Sequence, residues 1–346
     1  LMPANPPVIP IAVGVLQRAD GAVLIAQRPS GKIAAGWWEF PGGKIEADET
    51  TYQALVRELE EELGVTVTQA QPLIQITQHY TERSVRLDAW RVTAWTGTPQ
   101  GVEGQALDWV LPAHLVANTP FWQPHDGDLA RSLSSYEASV HRSGHSQKFL
   151  PTNRAIGCAA WLPDTYLITG AFNDVADCLN RLQAALQRGV RLVRLRAWHL
   201  NDADYEALAR DCVALTRAAG ALLILDRDMV MALRVGADGV HGLEQVPRRP
   251  PSPQGGREHP FLHFASCHNV AELQAAEAAG CDAVVLGPVL QTHSHPDAVP
   301  MGWDAFGGLA QRSNIPVYGL GGLTPEHLTP AKQHGAQGIA AISSLW

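Results

Sequence analysis

Glu58, Glu61 and Glu62, in GGKIEADETTYQALVRELEEELGV (residues 42–65), are spaced i, i+3 and i+4. On a helix this spacing places three carboxylates on one face. Like charges so arranged repel, and a run such as ELEEEL, taken alone, is a solvated helix face. The alternative is a divalent cation: several oxygen ligands on one rigid element suit Mg²⁺, with Mn²⁺ able to replace it. Ions held there would neutralise a polyphosphate and lower the pKa of an attacking water.

The carboxylates need a helix whose start and end are fixed. The pattern predicts one from about Thr50 to Leu63, started by Asp48 or Thr50 and stopped at Gly64, a residue suited to a left-handed cap. Ala54, Leu55, Leu59 and Leu63 give that helix an apolar side. Gly42 and Gly43 let the preceding loop approach a phosphate or a metal, and a backbone carbonyl there can serve as a ligand. Asp20-Gly21 marks a hairpin between two strand-like runs, and VRLDAWRVTAW alternates as a strand. These elements assign residues 1–135 to a first domain.

Gly43, Glu49, Arg57, Glu58, Leu59, Glu61, Glu62, Gly64 and Val65 fit the pattern G-x5-E-x7-R-E-U-x-E-E-x-G-U, with U apolar, at every defined position. The stretch resembles the Nudix box. That resemblance implies an α/β/α sandwich that hydrolyses phosphoanhydrides with Mg²⁺. Glu58, Glu61 and Glu62 would hold the ions, and Arg57 would pair with Glu49 to keep the carboxylates aimed. The general base is left among Glu58, Glu61 and Glu103.

Beyond the box, IAVGVL, WEFPGGKIE and GVEGQALDWV resemble, in order, segments of the MutT-like Nudix hydrolases. The resemblance implies a further metal ligand at Glu103, in GVEGQ, and nucleotide contacts at Arg28, Phe40, Arg83 and Asn118. Asn118 is the most informative of these, because an amide meets a purine edge with donor and acceptor together. Each has a structural alternative: Phe40 as core, Arg28 and Arg83 as surface pairs, Asn118 as the cap of a turn. Together they imply 8-oxo-dGTP as substrate, cut to the monophosphate and pyrophosphate by water attacking the β-phosphorus. The implied role is sanitation of the nucleotide pool for DNA replication and repair. Tyr80 lies where diadenosine polyphosphate hydrolases carry a tyrosine, which keeps that substrate class as a rival.

The chain has 346 residues, of which 46% are hydrophobic and 17% charged, with a net charge of −8 and a pI near 5.9. That length predicts two domains. The acidic balance argues against a nucleic-acid polymer or an anionic membrane as partner. Five scattered cysteines without a C-x-x-C pair argue against a disulfide framework or zinc knuckle. With no basic region and apolar core in the opening LMPANPPVIPIAV, a cytoplasmic location is expected. Residues 136–162, poor in periodicity and rich in Ser, His and Gly, read as a linker. From residue 163 to 346 eight candidate strands alternate with alanine-rich helices, the rhythm of a compact TIM-type (β/α)8 barrel. The last covering helix is missing from that rhythm, because Trp346 follows the eighth strand directly.

YLITG, GVRLVRLRA, LLILDRDMVMALRVGADGVHG, SCHNVAEL, AVVLGPVLQTHSHP and PVYGLGGLTPEH resemble thiamine phosphate synthase and its relative TenI, a thiazole tautomerase. The resemblance implies a thiazole phosphate or thiamine phosphate ligand. Gly321, Gly322, Ser343 and Ser344 would hold its phosphate, and Thr292 and Ser294 would lie in an adjoining loop. The synthase also needs a lysine and acidic groups to hold a metal-bound diphosphate. Here Trp198 stands at the lysine position, Leu225-Asp226 replaces an Asn-Asp pair, and HGLEQV lacks the second aspartate. TenI-like proteins use a histidine resembling His268 in SCHN, without metal. The alternatives are that His268 merely caps a helix, and that the barrel is a scaffold or ligand sensor; the fusion itself also offers a thiamine-pathway diphosphate as the hydrolase's substrate.

Overall fold

The computed structural model describes residues 7–32, 34–79, 83–119, 147–243, 259–292 and 297–346. The chain divides into two compact units, Leu1–Trp161 with Ser252–His259, and Leu162–Pro251 with Pro260–Trp346.

In the first unit β1 (Val8–Leu16) lies at the centre of a mixed four-stranded sheet. It pairs in parallel with β6 (Ser84–Thr96) and antiparallel with β4 (Gly42–Lys44). β5 (Thr66–His79) pairs with β6 and forms one edge, where Pro72 and the register shift beside it are tolerated. β2 (Val23–Gln27) joins β3 (Trp38–Glu39) and β7 (Leu107–Val110) in a second, antiparallel sheet. Alternation along the strands builds two cores. Ala12, Leu16 and Leu24 pack with Ala54, Leu55, Leu59 and Leu63 of helix α1 (Thr51–Leu63). Val13, Val15, Val23 and Ile25 pack with Leu115 of α2 (Pro112–Asn118) and with Ile156 and Ala160 of α3 (Asn153–Trp161). The sheets therefore lie between helices on both sides, the α/β/α arrangement.

Helix α3 falls inside the stretch that reads as a linker in the sequence. The described part of that stretch, from Gln147 to Trp161, belongs to the first unit: Phe149 bridges Trp38 in parallel and is fully buried. The structural boundary therefore follows Trp161.

The second unit is a closed barrel of eight strands. They are β8 (Thr165–Ile168), β9 (Leu192–Leu195), β10 (Leu222–Leu225), β11 (Gly239–His241), β12 (Leu262–Cys267), β13 (Ala283–Leu286), β14 (Val317–Leu320) and β15 (Gly338–Ala341). Every neighbouring pair is parallel, and β15 closes on β8. Side chains fill the interior: the Tyr166 ring stands 5.1 Å from Phe264 and 5.6 Å from Tyr318. Outward-facing Leu167, Val193, Leu195, Leu223 and Leu225 pack with Leu182 and Ala185 of α4 (Val175–Gln187) and with Leu208 and Ala209 of α5 (Asp202–Ala218). Further cover comes from α6 (Met229–Val235), α7 (Val270–Ala278), α8 (Gly302–Ala310) and α9 (Leu328–Gln333). After β15 there is no helix among the described residues. Leu345 is buried in the core cluster beside β8, and Trp346 Nε1 donates to Ala171 O at 3.2 Å.

All five cysteines are buried and outside any disulfide. Among the described residues no helix is long and apolar enough to cross a membrane.

Candidate functional site

Capping and packing fix the orientation of α1. Thr50 Oγ1 accepts from Gln53 N, and Gln53 Oε1 accepts from Thr50 N at 2.8 Å, a reciprocal capping box. Gly64 ends the helix with φ +67. On the buried side Leu59 lies so close to β1 that a Cβ on Gly14 would stand 2.8 Å from its methyl groups. With that face locked, Arg57, Glu58, Glu61 and Glu62 are left outside the apolar face, toward the loop or solvent.

Arg57 makes the pairing expected of it. Its Nε donates to Glu49 Oε1 at 2.6 Å and its Nη2 to Glu49 Oε2 at 2.8 Å, a bidentate grip. The same guanidinium donates to Lys44 O at 3.0 Å and to Glu58 Oε1 at 2.7 Å, and stands 3.4 Å from Glu61 Oε2. These bonds hold the Glu49 carboxyl at about 2, with help from the N–H of Glu46. The Glu58 side chain is 15% exposed and lies against the α-carbon of Gly43, where any side chain would collide with its carboxylate. Glu61, at 62%, is open to solvent.

Glu62 is half-buried. Its Oε2 accepts from Gly42 N at 3.1 Å, so Gly42 contributes its amide to the carboxylate. Burial pushes the Glu62 carboxyl up to about 7, opposed by that N–H and reinforced by the charges of Glu58, Glu39 and Glu103. Glu39 is likewise pushed up by burial, against the pull of Arg28, whose Nη1 donates to Glu39 Oε1 at 2.7 Å. Glu103 sits 3.6 Å from Lys32 Nζ, and both side chains are about half exposed.

This donor set fits the divalent cation that the box implies. Four carboxyls lie near enough for three of them to raise the fourth, a crowding that a dication relieves. Among the described residues no three of them form a ready cage: Glu58 is drawn to Arg57, Glu62 to Gly42, Glu39 to Arg28 and Glu103 to Lys32. Glu39 and Lys32 are the site residues that sequence reasoning misses. The signal for Glu39 is its polar position between the aromatic residues of WEFPGG.

The remaining nucleotide positions differ in their surroundings. Phe40 is buried in the apolar core with Val13, Val23 and Ile25. Arg83 is exposed just before β6. Asn118 ends α2, and its Nδ2 donates to His114 O at 2.8 Å. Tyr80 lies outside the described residues.

In the barrel, Gly321 and Gly322 follow β14 and Ser343 and Ser344 follow β15, at the carboxyl ends of their strands. Ser344 Oγ donates to Leu323 O at 2.9 Å. Thr292 lies in the segment after β13, and Ser294 is outside the described residues. His268 follows β12 and is 63% exposed, with Nδ1 2.9 Å from Glu272 Oε2. The helix cap is its neighbour Asn269, whose Oδ1 accepts from Glu272 N at 3.0 Å. Within the barrel Tyr166 Oη lies 3.2 Å from His241 Nδ1, and His241 Nε2 lies 2.8 Å from Ser266 Oγ. Burial pushes the His241 imidazole well below its usual range.

Fold and site define a two-module chain, one module a carboxylate-bearing α/β/α sandwich and the other a closed parallel barrel. A family model described as NUDIX domain matches residues 12–127, and one described as thiamine monophosphate synthase matches residues 165–345. The chain belongs to the Nudix family through its first unit and to the thiamine monophosphate synthase family through its second. It is 38% identical over 182 residues to a putative thiamine-phosphate synthase 2 of Aquifex aeolicus, covering 53% of this chain and 97% of that protein. It is 44% identical over 104 residues to a CTP pyrophosphohydrolase of Escherichia coli, covering 30% of this chain and 76% of that protein. A solved MutT structure, from work on Aliivibrio salmonicida and Vibrio cholerae, is 42% identical with a TM-score of 0.28, covering 37% of this chain and 98% of that one.

Proposed function

We propose that the first unit is a Mg²⁺-dependent nucleoside triphosphate pyrophosphohydrolase that converts 8-oxo-dGTP to its monophosphate and pyrophosphate. The observation that carries the reading is the pairing of a rigid clamp, Arg57 on Glu49, with the crowded carboxyls Glu58 and Glu62 beside Gly42 and Gly43. Glu58, Glu61, Glu62 and Glu103 would hold the ion, which when bound supplies charge neutralisation for the phosphates and a more acidic water. Arg57 keeps the helix and the loop in register, so that only the carboxylate side chains have to turn toward an ion. Gly43 leaves the space in which the Glu58 carboxylate lies. The 8-oxo-dGTP assignment rests on the resemblance of the first 130 or so residues to MutT-like hydrolases, and it places the enzyme in nucleotide-pool sanitation. A second reading, a pyrimidine triphosphate such as CTP, is favoured by the similarity to the Escherichia coli CTP pyrophosphohydrolase.

The test is steady-state hydrolysis by the full chain of 8-oxo-dGTP, dGTP, CTP and thiamine diphosphate with Mg²⁺. The expected result is the highest kcat/KM on 8-oxo-dGTP, with Glu58→Gln and Glu62→Gln each reducing turnover by roughly 100-fold or more. A higher kcat/KM on CTP would replace the substrate assignment. Unchanged turnover in both variants would remove the metal-site reading.

A further inference from the structure

The thiamine phosphate synthase resemblance implies a divalent cation and a diphosphate at the carboxyl ends of the barrel strands, held in part by an aspartate at the end of the third. In this chain that aspartate is Asp226, directly after β10. We infer that Asp226 is a structural partner of Arg194 and Trp198 rather than an ion ligand, so that the barrel binds its ligand without a metal at this point.

Both carboxylate oxygens of Asp226 are already engaged. Arg194 Nε donates to its Oδ1 at 2.6 Å, and Trp198 Nε1 donates to its Oδ2 at 3.0 Å. The backbone is committed as well: Asp226 N donates to Tyr205 Oη at 3.1 Å, and Asp226 O accepts from Arg227 Nη1 at 3.0 Å. The Arg194 and Asp226 side chains are only 11% and 4% exposed. An ion arriving at Oδ1 would have to separate this pair and strand a buried guanidinium, which is a strongly unfavourable exchange.

The surroundings oppose a dication too. Mg²⁺ in phosphate sites uses one or two carboxylates together with substrate oxygens. Asp226 instead stands among guanidinium groups. The Arg196 group lies 4.1 Å above the Trp198 ring, and the Arg227 group lies 4.0 Å above the Tyr205 ring. Trp198 occupies the position the resemblance assigns to a lysine, and its indole N–H faces the carboxylate where a cationic group would otherwise face a phosphate. An anion entering this part of the mouth therefore meets fixed guanidinium charge directly, in a geometry suited to phosphate oxygens.

The test is Mn²⁺ titration of the full chain by electron paramagnetic resonance, in a Glu58→Gln/Glu62→Gln background that removes two of the four ion ligands of the first unit. That background leaves Glu61 and Glu103 in place, so any Mn²⁺ they retain is read as the uptake that Asp226→Asn does not change, and the titration is run with and without inorganic pyrophosphate. The expected result is no Mn²⁺ uptake beyond that of pyrophosphate alone. Uptake that Asp226→Asn leaves unchanged places the ion elsewhere and supports the inference. Stoichiometric uptake that Asp226→Asn abolishes overturns it. Should Asp226→Asn fail to fold, anomalous diffraction from Mn²⁺-soaked crystals of the unmodified chain gives the same decision: a peak at the Asp226 carboxylate overturns the inference, and no peak there supports it.

Discussion

Arg57 binds Glu49 and Glu58 at once, with two parallel hydrogen bonds to the first and a third to the second at 2.7 Å. Glu49 lies in the loop before α1 and Glu58 on the helix itself, so one guanidinium sets the distance between loop and helix. The two carboxylates divide the work. Glu49 anchors the arginine, and Glu58 is thereby left aimed along the loop.

Glu49→Gln is expected to weaken this anchor without touching substrate. Groups that orient metal-binding side chains typically contribute roughly 10–100-fold in metal affinity or activity. The variant should therefore require more Mg²⁺ for half-maximal pyrophosphate release, with the KM for nucleotide at saturating Mg²⁺ little changed. An unaltered Mg²⁺ dependence would show that Arg57 is positioned by other contacts.

Gly43→Ala tests the opposite wall. The added methyl would occupy the place of the Glu58 carboxylate, which would have to move away from the loop. Activity should fall by roughly 10-fold or more, on the scale of other losses of carboxylate positioning. Stability should change by less than about 1 kcal/mol, as for most surface substitutions. A fully active Gly43→Ala enzyme would mean that Glu58 works from another position.

The Glu62 carboxyl gives the first unit a pH dependence of definite sign. Its pKa rises from an ordinary 4.5 in the unfolded chain to about 7 in the fold. Between those values the folded protein holds a proton that the unfolded chain releases, so stability falls as pH rises. The contribution is full below about pH 4.5 and is lost by about pH 7, an effect on the order of 3 kcal/mol. Denaturation in the presence of a chelator, compared across that window, should show the decline, and Glu62→Gln should flatten it. Added Mg²⁺ should restore stability most strongly at the upper end, where Glu62 is ionised and fully available. A wild-type profile as flat as that of Glu62→Gln would remove Glu62 as the source.

What was legible in the sequence follows from how local each signal is. Thr50, Gln53 and Gly64 fix both ends of α1 within a few residues of chain, so the helix is readable to within one position. The eight barrel strands are present in the number expected, because short apolar runs between turns carry their own boundaries. β5 carries no such signal. Its TVTQAQPLIQITQH is held by pairing with β6, a partner distant in sequence, and much of it is exposed. Asn118 is legible by type alone: an amide suits a purine edge, while the bond of its Nδ2 to the His114 carbonyl is visible only in the fold. Glu39 shows the converse, an acid whose importance comes from burial beside Arg28 and Glu62.

Helix α3 was the largest loss to sequence reasoning, and it yields the sharpest test of the fold. NRAIGCAAW is nine residues long, too short for a secure helical period, and it follows a stretch of polar residues. Yet Phe149, Ile156 and Ala160 complete the core cluster on the second face of the sheets. Asn153 Nδ2 donates to Trp38 O at 2.8 Å, and Arg154 Nη1 donates to Val116 O at 2.5 Å, fastening the helix to β3 and α2. Deleting buried side chains the size of Phe and Ile costs about 2–5 kcal/mol each, against a total domain stability of about 5–15 kcal/mol. A fragment 1–161 is therefore expected to unfold cooperatively in urea, whereas 1–135 should be largely unfolded before denaturant is added. A cooperative transition for 1–135 with the midpoint of 1–161 would mean that α3 rests on the sandwich without supporting it.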